Sequence, residues 1–168
     1  IWPGWSSMLT GVWRNKHGVK DNTFKGARYG AYPHFFKRIK QLRPKAVTAS
    51  IVHWAPIHQR IISHADIKIT IANDAKVAAG AIETLRKKDP DVLFLHFDDV
   101  DHAGHSKGFD PKQKAYLAAI VKVDRLIGTV LEAMRARFAA WEKTMPGIPE
   151  GARISLITNK GNMAAPTP

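Results

Sequence analysis

The chain contains no cysteine among its 168 residues, which excludes disulfide bonds and thiolate metal sites. A bound metal ion would therefore be held by aspartate, glutamate or histidine, and eight histidines are available. The sequence also has no run of about 18 apolar residues, so no transmembrane helix is predicted. Residues Ile1–Thr10 lack the basic region and the apolar core of a signal peptide. Neither absence identifies a cellular compartment.

Long blocks of like charge are missing as well, although the net charge is +12. The 26 basic residues outnumber the 14 acidic ones but are scattered along the chain in small groups. A basic surface attracts polyanions, which include nucleic acids and phosphorylated small molecules. Because net charge reports association rather than fold, polyanion binding is kept as one alternative, beside a basic surface that has no dedicated partner.

What the sequence does contain is an alternation of predicted strands and helices. Strands are predicted where β-branched or apolar runs occur, at Lys45–His53, Asp66–Ile71, Val92–Phe97 and Arg153–Thr158. Helices are predicted after Pro33, over Ile57–Ser63, from Asn73 or Asp74 to Lys88, and from Asp110 to about Trp141. The pattern indicates one α/β domain over residues 1–168, with a mostly parallel sheet flanked by helices. Residues 159–168 are interpreted as a frayed tail.

Two of these elements carry specific expectations about burial. The continuous apolar run Val92–Phe97 predicts a strand buried on both faces. The last helix is expected to pack through one apolar stripe at alternating spacings of four and three, which consists of Tyr116, Ile120, Val123, Ile127, Val130 and Met134.

The segment Asp98–Gly108 follows the apolar strand and is the most polar predicted loop. Its first eight residues contain three carboxylates and two imidazoles. They directly follow a predicted strand, and in a parallel sheet ligands bind beyond the carboxyl ends of the strands. Asp101 and His105 are four residues apart, so a tight turn or a helical turn would direct both at one ion, while Gly104 would let the backbone bend beside it. Oxygen and nitrogen ligands suit zinc, manganese or iron. A solvated, helix-capping loop is the alternative interpretation.

Within this region, Leu95–Gly108 resembles the Asp-x-x-Gly-His motif of the type I phosphodiesterase and nucleotide pyrophosphatase family, in the alkaline phosphatase superfamily. A second segment, Pro3–Trp13, followed by His17-Gly18-Val19, is similar to the region of that family's nucleophile. The two segments occur in the family's order, and the resemblance extends over Trp2–Thr158.

The resemblance implies an alkaline-phosphatase-like fold, incomplete at both ends, and metal-dependent hydrolysis of phosphate esters through a covalent phospho-enzyme. The family uses two zinc ions, and the ligands of its motif fall on Asp101 and His105. The implied substrate is a small phosphorylated molecule such as a nucleotide or a phosphodiester. Family members are often exported.

The chain departs from the family at the nucleophile. Alignment on Pro3 places that residue at Ile1, which cannot attack phosphorus. Ser6 and Ser7 are the nearby hydroxyls, but they fall inside the helix that follows the family's nucleophile. Hydrogen bonding near the helix start is their simpler role.

A second departure lies near the other end, where Asn159 and Lys160 stand in place of the family's Asp-His pair. A charged lysine cannot ligate a metal ion, so at most one partial site is expected. Three explanations stay open: a truncated piece of an active enzyme, a folded but inactive homologue, or an incorrect alignment of the two ends.

The remaining histidines and tryptophans are expected to be structural. His17 is assigned a hydrogen-bonding role, His96 a place in the core, and His102, Asp98 and Asp99 a supporting role beside the motif. His53, His58 and His64 are interpreted as surface or packing residues. Core packing is expected for Trp5, Trp13 and Trp54, with stacking on a nucleobase as the alternative.

Overall fold

The computed structural model describes residues 2–144, with side chains from residue 3 to residue 140. Its strands and helices alternate as the sequence predicts. The strands are β1 (Thr48–Val52), β2 (Ile67–Thr70) and β3 (Val92–His96). The helices are α1 (Trp2–Thr10), α2 (Arg14–His17), α3 (Phe35–Leu42), α4 (Asp74–Lys87), α5 (Asp99–Lys107) and α6 (Lys114–Thr144), with a π-helical turn at Ile57–Ile61. The predicted strand Arg153–Thr158 and tail 159–168 lie outside the described residues.

The three strands form a parallel sheet in the order β2-β1-β3. The central strand β1 is buried at every position because both of its edges are paired and both of its faces are covered. Its side chains alternate between two cores: Val52 packs with α1 and the π-helical turn, whereas Ile51 packs with α4 and α6. The predicted α/β fold with helices flanking a parallel sheet is confirmed.

Helix α4 forms where the sequence predicts it. Asn73 caps it through Oδ1, which accepts a hydrogen bond of 3.0 Å from the backbone N–H of Lys76. The predicted inward face is buried, and it consists of Val77, Ala78, Ala81 and Leu85. Asp74 does not share the capping role, since its side chain turns inward and is fully buried.

The expectation that β3 is buried on both faces is wrong. Its first four residues are only partly covered, and His96 is its one buried position. Within the described residues β3 pairs with β1 alone, so its other edge lacks a neighbouring strand. An apolar run reports hydrophobic composition but not how many neighbours a strand has.

The predicted stripe of α6 is only partly correct. Val123 and Val130 are buried, whereas Ile120 and Ile127 are 39% and 40% exposed. The part of the helix that packs on α4 and the sheet uses Val130 and Met134 of the predicted stripe together with Leu126 and Ala133, which were not predicted. Within the described residues, no helix is both long and apolar enough to cross a membrane.

Gly18 ends α2 in the left-handed region, with φ of 80°. A Cβ atom at this position would overlap the backbone carbonyl oxygen of Gly26, which cannot rotate away as a side chain does. We expect Gly18→Ala to lower the free energy of unfolding by at least about 2 kcal/mol, from left-handed strain together with this contact. Urea denaturation measures it, with Gly30→Ala as the control, because open space surrounds Gly30. Equal stabilities of the two variants would contradict this account.

Candidate active site

The carboxyl ends of the three strands meet at one edge of the sheet, where polar side chains collect. His53 follows β1 directly, Asp74 comes soon after β2, and Asp98 and Asp99 follow β3. In an open parallel sheet this edge is where ligands bind. The sequence prediction used the segment after β3 and overlooked the residues after β1 and β2. His53 and Asp74 each come shortly after a predicted strand, as Asp98 does, and this shared position is the signal that would have revealed them.

Asp74 is fully buried and lies at the centre of this polar edge. Its Oδ1 lies 2.6 Å from Nδ1 of His53 and accepts a 3.0 Å hydrogen bond from the backbone N–H of Asp98. Its Oδ2 accepts a 2.9 Å bond from the backbone N–H of Asp99. Because a carboxylate only accepts hydrogen bonds, Nδ1 of His53 carries the proton between the two side chains.

The predicted polar loop 98–108 is for the most part a helix, α5, and the loop expectation is wrong. Helical geometry places Asp101 and His105 one turn apart on the same face. Oδ2 of Asp101 lies 3.5 Å from Nε2 of His105, and the two side chains are 34% and 59% exposed. The structure therefore brings together the pair that the sequence singled out.

Gly104 has a different role from the expected backbone bend. It lies inside α5 with ordinary helical geometry, and a Cβ atom there would overlap the ring of Phe109. The same ring meets the imidazole of His105 edge-on, with centroids 5.2 Å apart. Gly104 thus allows Phe109 to pack beneath the exposed histidine.

A pocket of about 520 Å³ opens beside α5. Acidic, imidazole and aromatic side chains line it; the lining residues are Trp5, Trp54, His96, Phe97, Asp98, Asp101, His102, His105 and Ser106. Trp5 and Trp54 also pack against the core, so their expected packing role holds while each presents a surface to the pocket. The expectation for Trp13 is wrong, because it is 79% exposed.

His96 is a buried member of the pocket lining. Its Nδ1 accepts a long hydrogen bond of 3.4 Å from the backbone N–H of Trp54, and Nε2 lies 3.7 Å from Oδ1 of Asp98. Trp5 meets the imidazole edge-on at 4.7 Å between centroids. Burial lowers the pKa of His96 below its ordinary value, although Asp98, Asp74 and Asp101 oppose that shift. A neutral imidazole with its N–H at Nε2 fits these contacts and the buried position expected for it.

The two serine candidates are engaged elsewhere. Ser6 is buried, and its hydroxyl lies 2.8 Å from the Tyr29 hydroxyl. Ser7 Oγ lies 2.9 Å from Nε2 of His17, whose Nδ1 accepts a hydrogen bond from the backbone N–H of Val19. His17 therefore has the hydrogen-bonding role expected for it, and neither serine belongs to the residues that line the pocket. Ile1, Asn159 and Lys160 lie outside the described residues.

Comparison with known families decides the assignment. A family model described as type I phosphodiesterase / nucleotide pyrophosphatase matches residues 29–144, which is more than half of the chain. The chain belongs to this family. The matched range contains α5 and the acidic and histidine residues that line the pocket, but not residues 2–13, where the similarity to the nucleophile region was noted. A search of curated proteins gave no match.

Among solved structures, this chain is similar to murine ectonucleotide pyrophosphatase / phosphodiesterase 5, determined as an inactive form in complex with AMP. The TM-score is 0.57 at 18% sequence identity, and the similarity covers 81% of this chain. It covers 41% of the murine protein, so the present chain spans about two fifths of that length. At this identity the comparison shows only that the two proteins share the fold of a parallel sheet flanked by helices.

Two groups of side chains in this family member have the chemistry of metal ligands. In the first, ligand atoms of His53, Asp74 and Asp99 lie within 4.8 Å of one another. The carboxylates of that group already have hydrogen-bond partners within the protein. Asp74 accepts three hydrogen bonds, and Nζ of Lys122 lies 2.6 Å from Oδ2 of Asp99. The hydrogen bond to Asp99 raises the pKa of Lys122, which keeps the ammonium charged. An ion there would have to displace a cation.

The second group is the pair Asp101 and His105. Zinc–ligand distances of about 2.0–2.1 Å place neighbouring donors of a tetrahedral site roughly 3.3 Å apart, and the observed separation is 3.5 Å. Both side chains face solvent at the pocket, so the donor set fits one side of a zinc site. Catalytic zinc takes about three protein ligands, and this pair supplies two of them.

Proposed function

We propose that this chain carries the metal-binding part of an active site that hydrolyses phosphate esters, either phosphodiesters or nucleotide pyrophosphates. The observation that carries the proposal is the pair Asp101 and His105, whose donor atoms are 3.5 Å apart at a pocket beside the carboxyl edge of the sheet. Membership in the phosphodiesterase family supports it. Zinc is the proposed ion because both donors suit it.

The residues of the chain have separable roles in this proposal. Asp101 and His105 would hold one ion, and the bound ion would supply positive charge for the oxygens of a phosphate group. His96 lies beside Asp98, with Nε2 at 3.7 Å from Oδ1, and burial lowers the pKa of His96, which favours a neutral imidazole at the pocket. The aromatic side chains of Trp5 and Trp54, which line the pocket, are suited to stack a nucleobase or another flat group of the substrate.

A covalent phospho-enzyme, which the family resemblance implies, requires a hydroxyl nucleophile. The hydroxyls of Ser6 and Ser7 bond to Tyr29 and His17, and neither faces the pocket. We therefore assign both serines to the support of α1. Within the described residues, the proposal therefore assigns the metal-binding and substrate-binding side chains of the site and names no nucleophile.

The test is zinc content per purified chain, paired with hydrolysis of a p-nitrophenyl phosphodiester before and after chelation. We expect about one zinc ion per chain, lost with a chelator and restored by added zinc, and turnover that follows the metal. A folded chain that binds no zinc contradicts the metal site, and zinc binding without turnover contradicts the hydrolysis. Binding of DNA that falls steeply with salt and ignores the chelator would favour the polyanion alternative.

A further inference from the structure

We propose that Asp74 is a positioning residue, which acts from the start of α4 to fix the first turn of α5 and thereby the direction of Asp101 and His105. The proposal deepens the metal site proposed above and rests on it. It adds a residue that lies outside α5 and does not belong to the pocket lining.

The first step is the capping of α5. The first N–H groups of a helix lack acceptors within the helix, and a residue at the N-cap normally supplies one from its own side chain. Asp98 occupies the N-cap of α5 but makes no capping hydrogen bond with its side chain. The carboxylate of Asp74 takes over this role by accepting from the N–H groups of Asp98 and Asp99 through separate oxygens.

The second step is the rigidity of Asp74 itself. The residue is fully buried and belongs to the first turn of α4, which packs on the sheet through Val77 and Ala78. Its Oδ1 also accepts from Nδ1 of His53 at the end of β1. A negative charge is favourable at the amino end of α5, where the helix dipole is positive. Asp74 thus connects α5 to the buried core between α4 and β1.

The third step links this anchor to the ligands. Asp101 comes two residues after Asp99, and His105 follows one turn later on the same face. A rotation of the first turn of α5 would therefore move Asp101 relative to His105 and change the 3.5 Å separation of their donor atoms. Lys122 of α6 also holds Asp99, at 2.6 Å, but it is half exposed, so the buried carboxylate of Asp74 provides the stiffer constraint.

The experiment compares Asp74→Asn with a matched control, Asp66→Asn. Asparagine preserves the shape but replaces one acceptor oxygen with a donor, so one backbone N–H of α5 loses its partner. Asp66 likewise accepts from a backbone N–H, that of Thr48, and from Nζ of Lys40, but at the amino end of β1. The control therefore loses similar hydrogen bonds at the opposite edge of the sheet.

The main readout is titration with Co²⁺, whose visible spectrum reports coordination geometry, at a temperature where both variants are fully folded. We expect Asp74→Asn to weaken Co²⁺ binding about 10-fold, as for groups that orient metal ligands, and to alter the spectrum. Asp66→Asn should bind Co²⁺ as the wild type does. If Asp74→Asn loses thermal stability but keeps the wild-type affinity and spectrum, Asp74 is merely structural and the proposal fails.

A second readout does not require the metal. Positioning predicts that backbone amide NMR shifts change in Asp74→Asn from Asp98 through His105, whereas changes confined to Asp98 and Asp99 would overturn it. If the wild type binds no Co²⁺, the proposed metal site falls, and the amide shifts still decide the role of Asp74. Should Asp74→Asn not fold, Asp74→Glu keeps the charge but moves it by one methylene, and it is judged by the same shifts.

Discussion

Replacing Asp101 by alanine is expected to weaken zinc binding by more than about 100-fold and to abolish metal-dependent hydrolysis of a phosphodiester. The reason is that Asp101 and His105 form one side of the site, at 3.5 Å between their donor atoms. Without Asp101, the imidazole of His105 is the one proposed ligand that remains to hold the ion. Even outer groups that only orient metal ligands are worth roughly 10- to 100-fold in affinity, so direct ligands are worth more. Isothermal titration with zinc measures the affinity.

The fold should survive this change, because Asp101 is partly exposed and alanine is the best helix former. Glu132→Ala is the matched control: it removes the same charge from an exposed position of α6 and should bind zinc as the wild type does. His105→Ala should lose zinc to a similar extent. If Asp101→Ala retained wild-type affinity, the ion would be bound elsewhere, and the group formed by His53, Asp74 and Asp99 would be the next site to test.

Elements whose stability is local could be predicted from the sequence. The β-branched run around Thr48 became β1, and the capped, amphipathic segment after Asn73 became α4 with its predicted face buried. Asp101 and His105 were identified from a motif and four-residue spacing, and that spacing brings them together equally well in a turn or in a helix. The local pattern was sufficient in each of these cases.

The elements that were missed depend on groups distant in the chain. Helix α5 has no apolar periodicity; its first N–H groups are satisfied by Asp74, and Phe109 packs where Gly104 leaves room. The importance of Asp74 and His53 arises only when the ends of β1, β2 and β3 come side by side. The order of residues along the chain does not by itself show that these strand ends lie close together in space.

Two histidines, the buried His34 and the half-buried His58, make the stability of this fold sensitive to acid. Nε2 of His34 accepts from the backbone N–H of Ser63, and its buried Nδ1 has no hydrogen-bond partner among the described residues. Burial lowers the pKa of His34 from 6.5 to about 4, and the charges of His64, Lys37 and Lys68 act in the same direction. Protonation would place an uncompensated charge in the core.

His58 is the second of these histidines. Its ring nitrogens lie 2.7 Å from the hydroxyl of Ser50 and 2.8 Å from that of Thr70, so it bridges β1 and β2. Burial, assisted by Lys68, lowers the pKa of His58 to about 4 as well. In the neutral ring one nitrogen accepts a hydrogen bond from a hydroxyl. Protonation would turn that nitrogen into a donor, so this hydrogen bond would be lost unless the hydroxyl reoriented.

We therefore expect the free energy of unfolding to fall as the pH drops from 6.5 toward 4. The unfolded chain takes up protons on these imidazoles below pH 6.5, whereas the folded chain does so only near pH 4. Stability is thus fully present above pH 6.5 and is lost through this window. At pH 5 the loss from His34 alone is about 2 kcal/mol, from about 1.4 kcal/mol per pKa unit, which lowers Tm by roughly 5 °C.

Urea denaturation at pH 7.5 and pH 5 measures this loss, and His34→Gln isolates it, because glutamine keeps an acceptor but does not titrate in this range. The variant should lose less stability than the wild type between the two pH values, whatever its stability at pH 7.5. Phe36→Leu is the matched control, since it disturbs the same core without removing a titrating group, and its loss should equal that of the wild type. If His34→Gln showed the same pH dependence as the wild type, the pKa of His34 would be the same in the folded and unfolded chains. The acid sensitivity would then rest on His58.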